Sequence, residues 1–172
     1  MKSQQLQLIK DKADLTHGGS KRKGKRKTLR PLTSKKPIHL VLKAHEPFQL
    51  LRSSRTIEHT LKKYSLRFGI TLHATAVQAD HLHLNLTIPN RDLYRRWIRA
   101  ITSVLVAQIK NLKWRFSPFT RIVSRGRDFK TVCIYIRRNQ TKGSFMLDAH
   151  ERVDYYREEI FANLGLPIRA SS

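Results

Sequence analysis

Two histidines separated by one leucine, His81-Leu82-His83, sit in a run where polar and apolar residues alternate from Asp80 to Ile88. In a β-strand successive side chains point to opposite faces. His81, His83, Asn85 and Thr87 then share one face, and Leu82, Leu84, Leu86 and Ile88 share the other. The apolar face buries against a core, which leaves two imidazoles side by side on the opposite surface. Such a pair can hold a metal ion, as in zinc and cupin-type sites, or it can bind phosphate directly. A second constellation lies downstream. Asp128 to Asn139 reads as a helix in which Phe129, Val132, Cys133 and Ile136 follow the i, i+3, i+4, i+7 spacing of a buried stripe. Tyr135 falls roughly 120° from the centre of that stripe. Asn139 lies one turn later on the face of Tyr135, with Arg137 and Arg138 beside them. A phenol, with its ordinary pKa near 10, is a poor nucleophile at neutral pH. It attacks a phosphodiester only when the phosphate is polarised and held in line. A divalent cation on His81 and His83 would polarise it, with Asn139 or Gln140 as a third protein ligand. Two imidazoles and an amide oxygen suit Mn²⁺ or Mg²⁺.

Charge points to the substrate. Of 172 residues, 35 are Lys or Arg against 12 Asp or Glu, a net charge of +23. A field of that sign and size binds polyanions. Twelve positive and two negative residues place +10 of this charge in the first 36 residues. The tract Lys21-Arg22-Lys23-Gly24-Lys25-Arg26-Lys27 has no apolar side chain and repels itself into an extended arm. A solubilising tail is the plain alternative to a phosphate clamp, and the overall charge favours the clamp. No apolar run approaches the roughly 18 residues that span a bilayer, and the N-terminus lacks the apolar core of a signal peptide. Cys133 is the only cysteine and falls on the buried stripe. That excludes both a cysteine-rich zinc site and an intrachain disulfide, and fits a reducing, cytoplasmic setting.

The elements that must position these residues can be read between the breakers. Residues 1–36 are the basic arm. Ile38 to Lys43 reads as a strand, and Glu46-Pro47 opens a helix with Leu50, Leu51, Ile57, Leu61, Tyr64 and Phe68 at near-helical spacing, ended by Gly69. Ile70 to Val77 and His81 to Ile88 are strands joined by three residues, hence an antiparallel hairpin. Asn90 caps a helix reaching about Leu112, with Leu93, Trp97, Ile101, Val104, Leu105 and Ile109 on one stripe and Arg91, Arg95, Arg96, Arg99 and Lys110 elsewhere. Phe119 to Val123 is a fourth strand, and Asp128 caps the helix of Tyr135. A last helix over 150–164 carries Tyr155 and Tyr156, rival nucleophiles by type but set among Asp154, Glu158 and Glu159. The order βαββαβα gives a two-layer α+β domain with a mostly antiparallel sheet.

Asp80-His81-Leu82-His83-Leu84 resembles the His-hydrophobic-His strand of the HUH endonucleases. Tyr135-Ile136-Arg137-Arg138-Asn139 resembles the Tyr-Ile-x-x-Asn/Gln helix of that superfamily's single-tyrosine transposases. In length and basic character the chain is most similar to the REP-associated tyrosine transposases, of the IS200-like group. The likeness covers about 37–140 and places an HUH transposase domain at 37–147, between the arm and a C-terminal helix and tail at 148–172. It implies a ferredoxin-like fold with the HUH strand central in an antiparallel sheet. It implies metal-dependent nicking and strand transfer on single-stranded DNA beside a hairpin, through a 5′-phosphotyrosyl link to Tyr135 and a free 3′-OH. It further implies His81, His83 and Asn139 as ligands of Mg²⁺ or Mn²⁺, and a cytoplasmic, nucleoid-associated bacterial protein. Its relatives act as homodimers or as monomers. By charge and position, Lys21, Arg22, Lys23, Lys25, Arg26, Lys27, Arg95, Arg99, Arg137 and Arg138 are the expected DNA contacts. A basic nucleic-acid-binding protein on a degenerate HUH fold, without cleavage, is the alternative.

Overall fold

The computed structural model describes residues 15–20, 23–26, 28–46 and 49–140. Its elements are β1 (Thr16–His17), β2 (Ile38–Lys43), α1 (Gln49–Arg52), α2 (Ser54–Phe68), β3 (Thr71–Val77), β4 (His81–Thr87), α3 (Arg91–Gln108) and β5 (Phe119–Ile122). A fourth helix, α4, follows over 127–140. The five strands form one sheet in the order β1-β5-β2-β4-β3, every pairing antiparallel. Leaving β1 aside, this is the βαββαβ arrangement of a ferredoxin-like α+β fold, with the histidine strand β4 inside the sheet, as the sequence predicts.

Alternation decides which face each residue takes. Ile38, Leu40 and Leu42 of β2 pair with Leu86, Leu84 and Leu82 of β4, and all six are buried. With Ile57 and Leu61 of α2 and Tyr94, Trp97, Ile101 and Leu105 of α3 they form the main core. Removing water from these branched and aromatic side chains is the principal term holding α2 and α3 on that face. Trp97 is fully buried because its indole N–H has an acceptor, donating to Ser65 Oγ at 3.2 Å. Asn90 caps α3 as expected, accepting from the Leu93 N–H at 2.9 Å. Gly69 closes α2 in the left-handed conformation at φ 65°, its N–H and that of Ile70 capping Leu66 and Ser65.

Five expectations change. The helix expected from Glu46 to Gly69 is two, broken at Ser53, and α3 stops at Gln108 rather than Leu112. Asp128 does not cap α4 from outside. It sits in the first turn, where its carboxylate accepts from the Ser124 N–H at 2.9 Å and from Arg121. The folded region begins before Pro37. β1 pairs with β5 along Thr16↔Arg121 and His17↔Thr120, Arg30 donates to the Pro118 carbonyl and Thr120 Oγ1, and Leu32 packs on the main core. A two-residue strand with one apolar neighbour leaves no periodic signal to find it by. Finally, the histidine face is not an open surface. α4 lies across it, burying Val132, Cys133 and Ile136 with Ala74, Ala76 and Val123 in a second cluster. His83 is therefore 5 % exposed and Asn85 0 %. The helix expected over 150–164, with Tyr155 and Tyr156, lies outside the described residues.

Candidate active site

Register puts three histidines on one face of neighbouring strands. His39 of β2 pairs with Asn85, and Val41 and Lys43 pair with His83 and His81. On the other side Ala76 of β3 pairs with His83. The small Ala76 leaves room for the His83 ring beneath α4. The His39 and His83 rings stack with centroids 5.5 Å apart, and His39 Nε2 lies 3.3 Å from His83 Nδ1, one nitrogen donating to the other. The second nitrogen of His83, Nε2, is buried and has no partner among the described residues. Burial pushes His83 down to about 3, with the neighbouring His39 and His81 adding to it. Burial, with Arg121 nearby, pushes His39 down to about 4. Both rings are therefore neutral at physiological pH, each with one ring nitrogen free of a proton.

His81 is more open. Its Nδ1 is hydrogen-bonded to the Asp80 carboxylate, which also takes an ion pair from Lys43 Nζ at 3.1 Å. Burial alone would raise the Asp80 carboxyl. The hydrogen bonds from Lys43 and His81 overcome it and hold Asp80 below the usual carboxylate range. The His81 and His83 rings are 5.0 Å apart and near edge-on. Each Nδ1 is thus engaged by an outer group, Asp80 or His39. That is how metal-ligating imidazoles are oriented, their other nitrogen turned to the ion. A buried nitrogen with no partner costs free energy unless something fills it. The residues present therefore fit a divalent cation. Among the described residues no group of three or more His, Cys, Asp or Glu could hold a metal ion.

Tyr135 is brought to these rings by the docking of α4. Asn85 Nδ2 donates to Cys133 Sγ at 3.2 Å, in the middle of the contact. Arg121 and Asp128, 3.1 Å apart, tie the start of the helix to β5. Gln78 donates to the Asn139 carbonyl, and the Val77 N–H donates to Gln140 Oε1 at 2.8 Å, tying its end to β3. On this fixed helix the Tyr135 ring meets His83 edge-on at 5.6 Å and His39 at 6.4 Å. It stays 49 % exposed. Gln140 engages both atoms of its amide, Oε1 with Val77 and Nε2 with Glu58. Asn139, four residues from Tyr135, shares the tyrosine's face of the helix.

The expected DNA contacts divide. Arg137 and Arg138 are exposed on α4, beside Tyr135. Lys23, Lys25 and Arg26 are exposed, while Lys21, Arg22 and Lys27 lie outside the described residues. Arg95 and Arg99 are exposed on α3, which covers the opposite face of the sheet from the histidines. Any strand that touches both groups has to pass around a sheet edge. His39 is a site residue that the sequence reading missed. Its signal was available: it alternates with Ile38 and Leu40 and so faces as His83 does, but only the pairing of β2 with β4 reveals their contact.

No protein-family model and no curated protein matches the chain. Among solved structures, a REP-associated tyrosine transposase bound to a REP hairpin is similar, with a TM-score of 0.52 and 17 % identity over 68 % of this chain and 73 % of that one. A candidate transposase from Deinococcus radiodurans R1 aligns at a TM-score of 0.35 and 18 % identity, over 67 % and 98 % of the two chains. No helix among the described residues is long and apolar enough to cross a membrane. The five-stranded antiparallel sheet with its helices thus has the fold of a REP-associated tyrosine transposase, in line with the resemblance carried by His81-Leu82-His83 and Tyr135.

Proposed function

We propose that the protein is a transposase-like enzyme that cleaves and rejoins single-stranded DNA at hairpin-flanked sites, with Tyr135 as nucleophile. The observation that carries this reading is the Tyr135 ring, half exposed and 5.6 Å from a buried His83 whose Nε2 has no partner among the described residues. A core tyrosine would be covered, and a structural histidine would be satisfied at both nitrogens. In the reaction Tyr135 Oη forms a bond to phosphorus and the P–O3′ bond breaks. The phenol gives up its proton and the departing 3′-oxygen gains one, leaving a 5′-phosphotyrosyl ester and a 3′-OH. The ester conserves the bond, so a second 3′-OH can reverse the step on another strand. His81, His83 and Asn139 would hold Mn²⁺ or Mg²⁺, which when bound supplies polarisation of the phosphate. Asp80 and His39 keep the two imidazoles oriented, and Arg137 and Arg138 draw the backbone to the tyrosine. The similar transposase was solved with a REP hairpin, and a hairpin beside a single-stranded target is the substrate to test here.

The direct experiment incubates the protein with a single-stranded hairpin oligonucleotide from its own genomic flanks and Mn²⁺, and looks for a covalent adduct resistant to denaturing electrophoresis. Binding without an adduct on any flank would favour the non-cleaving alternative. The ligand assignment has its own test. Asn139→Ala is expected to lower adduct formation about 100-fold or more, since losing a direct ligand should cost more than the roughly 10- to 100-fold typical of the groups behind it. Gln140→Ala is expected to leave the rate within about twofold, because that amide faces Val77 and Glu58. Equal losses would make Gln140 a ligand or make both merely structural.

The arm is better tested by substitution than by truncation, since deleting 1–36 would also remove β1 and the Arg30 anchor. Changing Lys23, Lys25 and Arg26 together to Ser is expected to weaken single-strand binding. It should also reduce the slope of log affinity against log salt by about 0.7 for each phosphate that these side chains neutralise. An unchanged slope would mean that they do not touch DNA.

A further inference from the structure

Beside the histidines, on the same face of the sheet, is a cavity of about 240 Å³ that the chemistry above does not use. Its floor is Val41 and Lys43, the cross-strand partners of His83 and His81. Its walls are the half-buried rings of Phe116 and Phe119 and the Gly18-Gly19 turn that follows β1. The turn is built to close on the segment before β5. The Gly19 N–H donates to the Ser117 carbonyl at 3.0 Å, and a Cβ on Gly18 would lie 2.0 Å from the Pro118 carbonyl oxygen. Gly18 also sits at φ +86°, so only glycine lets the wall stand where it does. Cations flank the cavity: Arg115 lies 5.2 Å over the Phe116 ring, and Lys43 reaches Asp80, which in turn holds His81.

We propose that this cavity receives one unpaired base of the DNA strand next to the phosphate that Tyr135 attacks, and so deepens the reading given under Proposed function. Three features of the cavity point to that ligand. It is smaller than the roughly 300–1,000 Å³ of pockets for drug-sized ligands, which suits a single planar ring system. Aromatic walls recognise a base by stacking on its face, whatever its identity. Lys43 in the lining, its side chain partly exposed, supplies a cation for the phosphate attached to that base. A base inside a duplex is stacked and paired and cannot enter, so the cavity also selects for single strands. The Lys43–Asp80–His81 chain then joins the seat of the base to one of the imidazoles beside the reacting phosphate. A filled cavity would fix the strand's register at the cut.

The test measures equilibrium binding of four fluorescein-labelled homopolymer 12-mers and of an abasic 12-mer of equal charge. The proteins are the wild type and the variants Phe116→Leu and Phe119→Leu. Leucine keeps an apolar side chain of similar size, and unchanged thermal melting shows that the fold is kept. Base–aromatic stacking is worth about 1–3 kcal/mol per base, so each variant should lose roughly 5- to 150-fold on at least one homopolymer. It should lose less than twofold on the abasic strand. Equal losses on both strands, or no loss on any homopolymer, would overturn the proposal. Adducts scored on the same oligonucleotides with Mn²⁺ separate the two readings. Adducts without a stacking loss leave Tyr135 in place and remove the base seat. A stacking loss without adducts leaves a base-binding cavity and removes the cleavage. No binding of any strand removes both.

Discussion

Tyr135→Phe is expected to fold as the wild type, to bind single-stranded DNA within about twofold of it, and to form no covalent adduct. The loss of adduct should be at least about 10³-fold, because the substitution removes the attacking atom itself rather than weakening an interaction. Little else should change. The ring is 49 % exposed, and its edge-on packing against His83 and His39 survives in phenylalanine. Changes at such positions usually stay within about 0.5 kcal/mol of stability. The measurement is adduct formation by denaturing electrophoresis, beside a melting curve and a binding isotherm on the same oligonucleotide. A variant that still forms adduct would place the nucleophile elsewhere, with Tyr155 or Tyr156 next to be changed. A variant that loses binding as well as adduct would make the ring a strand contact and not a nucleophile.

Most of this geometry was legible in the chain because alternation and helical spacing are local signals. Ile38, Leu40 and Leu42 against His39, Val41 and Lys43 already separate two faces, and so do Leu82, Leu84 and Leu86 against His81 and His83. The stripe Phe129, Val132, Cys133 and Ile136 likewise leaves Tyr135 off its centre, and in the fold that stripe meets the sheet while Tyr135 stays open. Long-range packing was not legible. That α4 lies on the histidine face, burying His83 and Asn85, follows from Ala74 and Ala76, whose small side chains leave space for a helix. Two alanines in a strand read simply as weak strand formers. The same holds for β1 and the Gly18-Gly19 turn. In a lysine-rich arm they look like part of a solvated tail, and their meaning comes only from Pro118 and Phe119, far along the chain. The opposite placement of Arg95 and Arg99 was fixed by topology too. Charge counts cannot tell which face of a sheet a helix will cover.

His83→Gln is the second substitution expected to have a large effect, and it tests the part of the site that the tyrosine cannot. Glutamine can keep a hydrogen bond to His39 in place of Nδ1, but it removes the imidazole Nε2 that now lies buried without a partner among the described residues. Calorimetric titration of the wild type with Mn²⁺ is expected to show one site, weakened about 100-fold or more in the variant. Direct ligands should cost more than the roughly 10- to 100-fold typical of the groups behind them. Asp80→Asn supplies that milder case, since Asp80 meets His81 only from behind. Chelation completes the comparison. Excess EDTA should abolish adduct formation by the wild type, while the already low level in His83→Gln should fall little further, because both changes remove the same interaction. If EDTA silences the wild type but His83→Gln binds Mn²⁺ unchanged, the ion sits away from these imidazoles. The buried nitrogen would then have to be explained by the DNA itself, with the His83 ring donating to a phosphate oxygen. Only the neutral tautomer bearing hydrogen on Nε2 allows that, and it leaves Nδ1 to accept from His39.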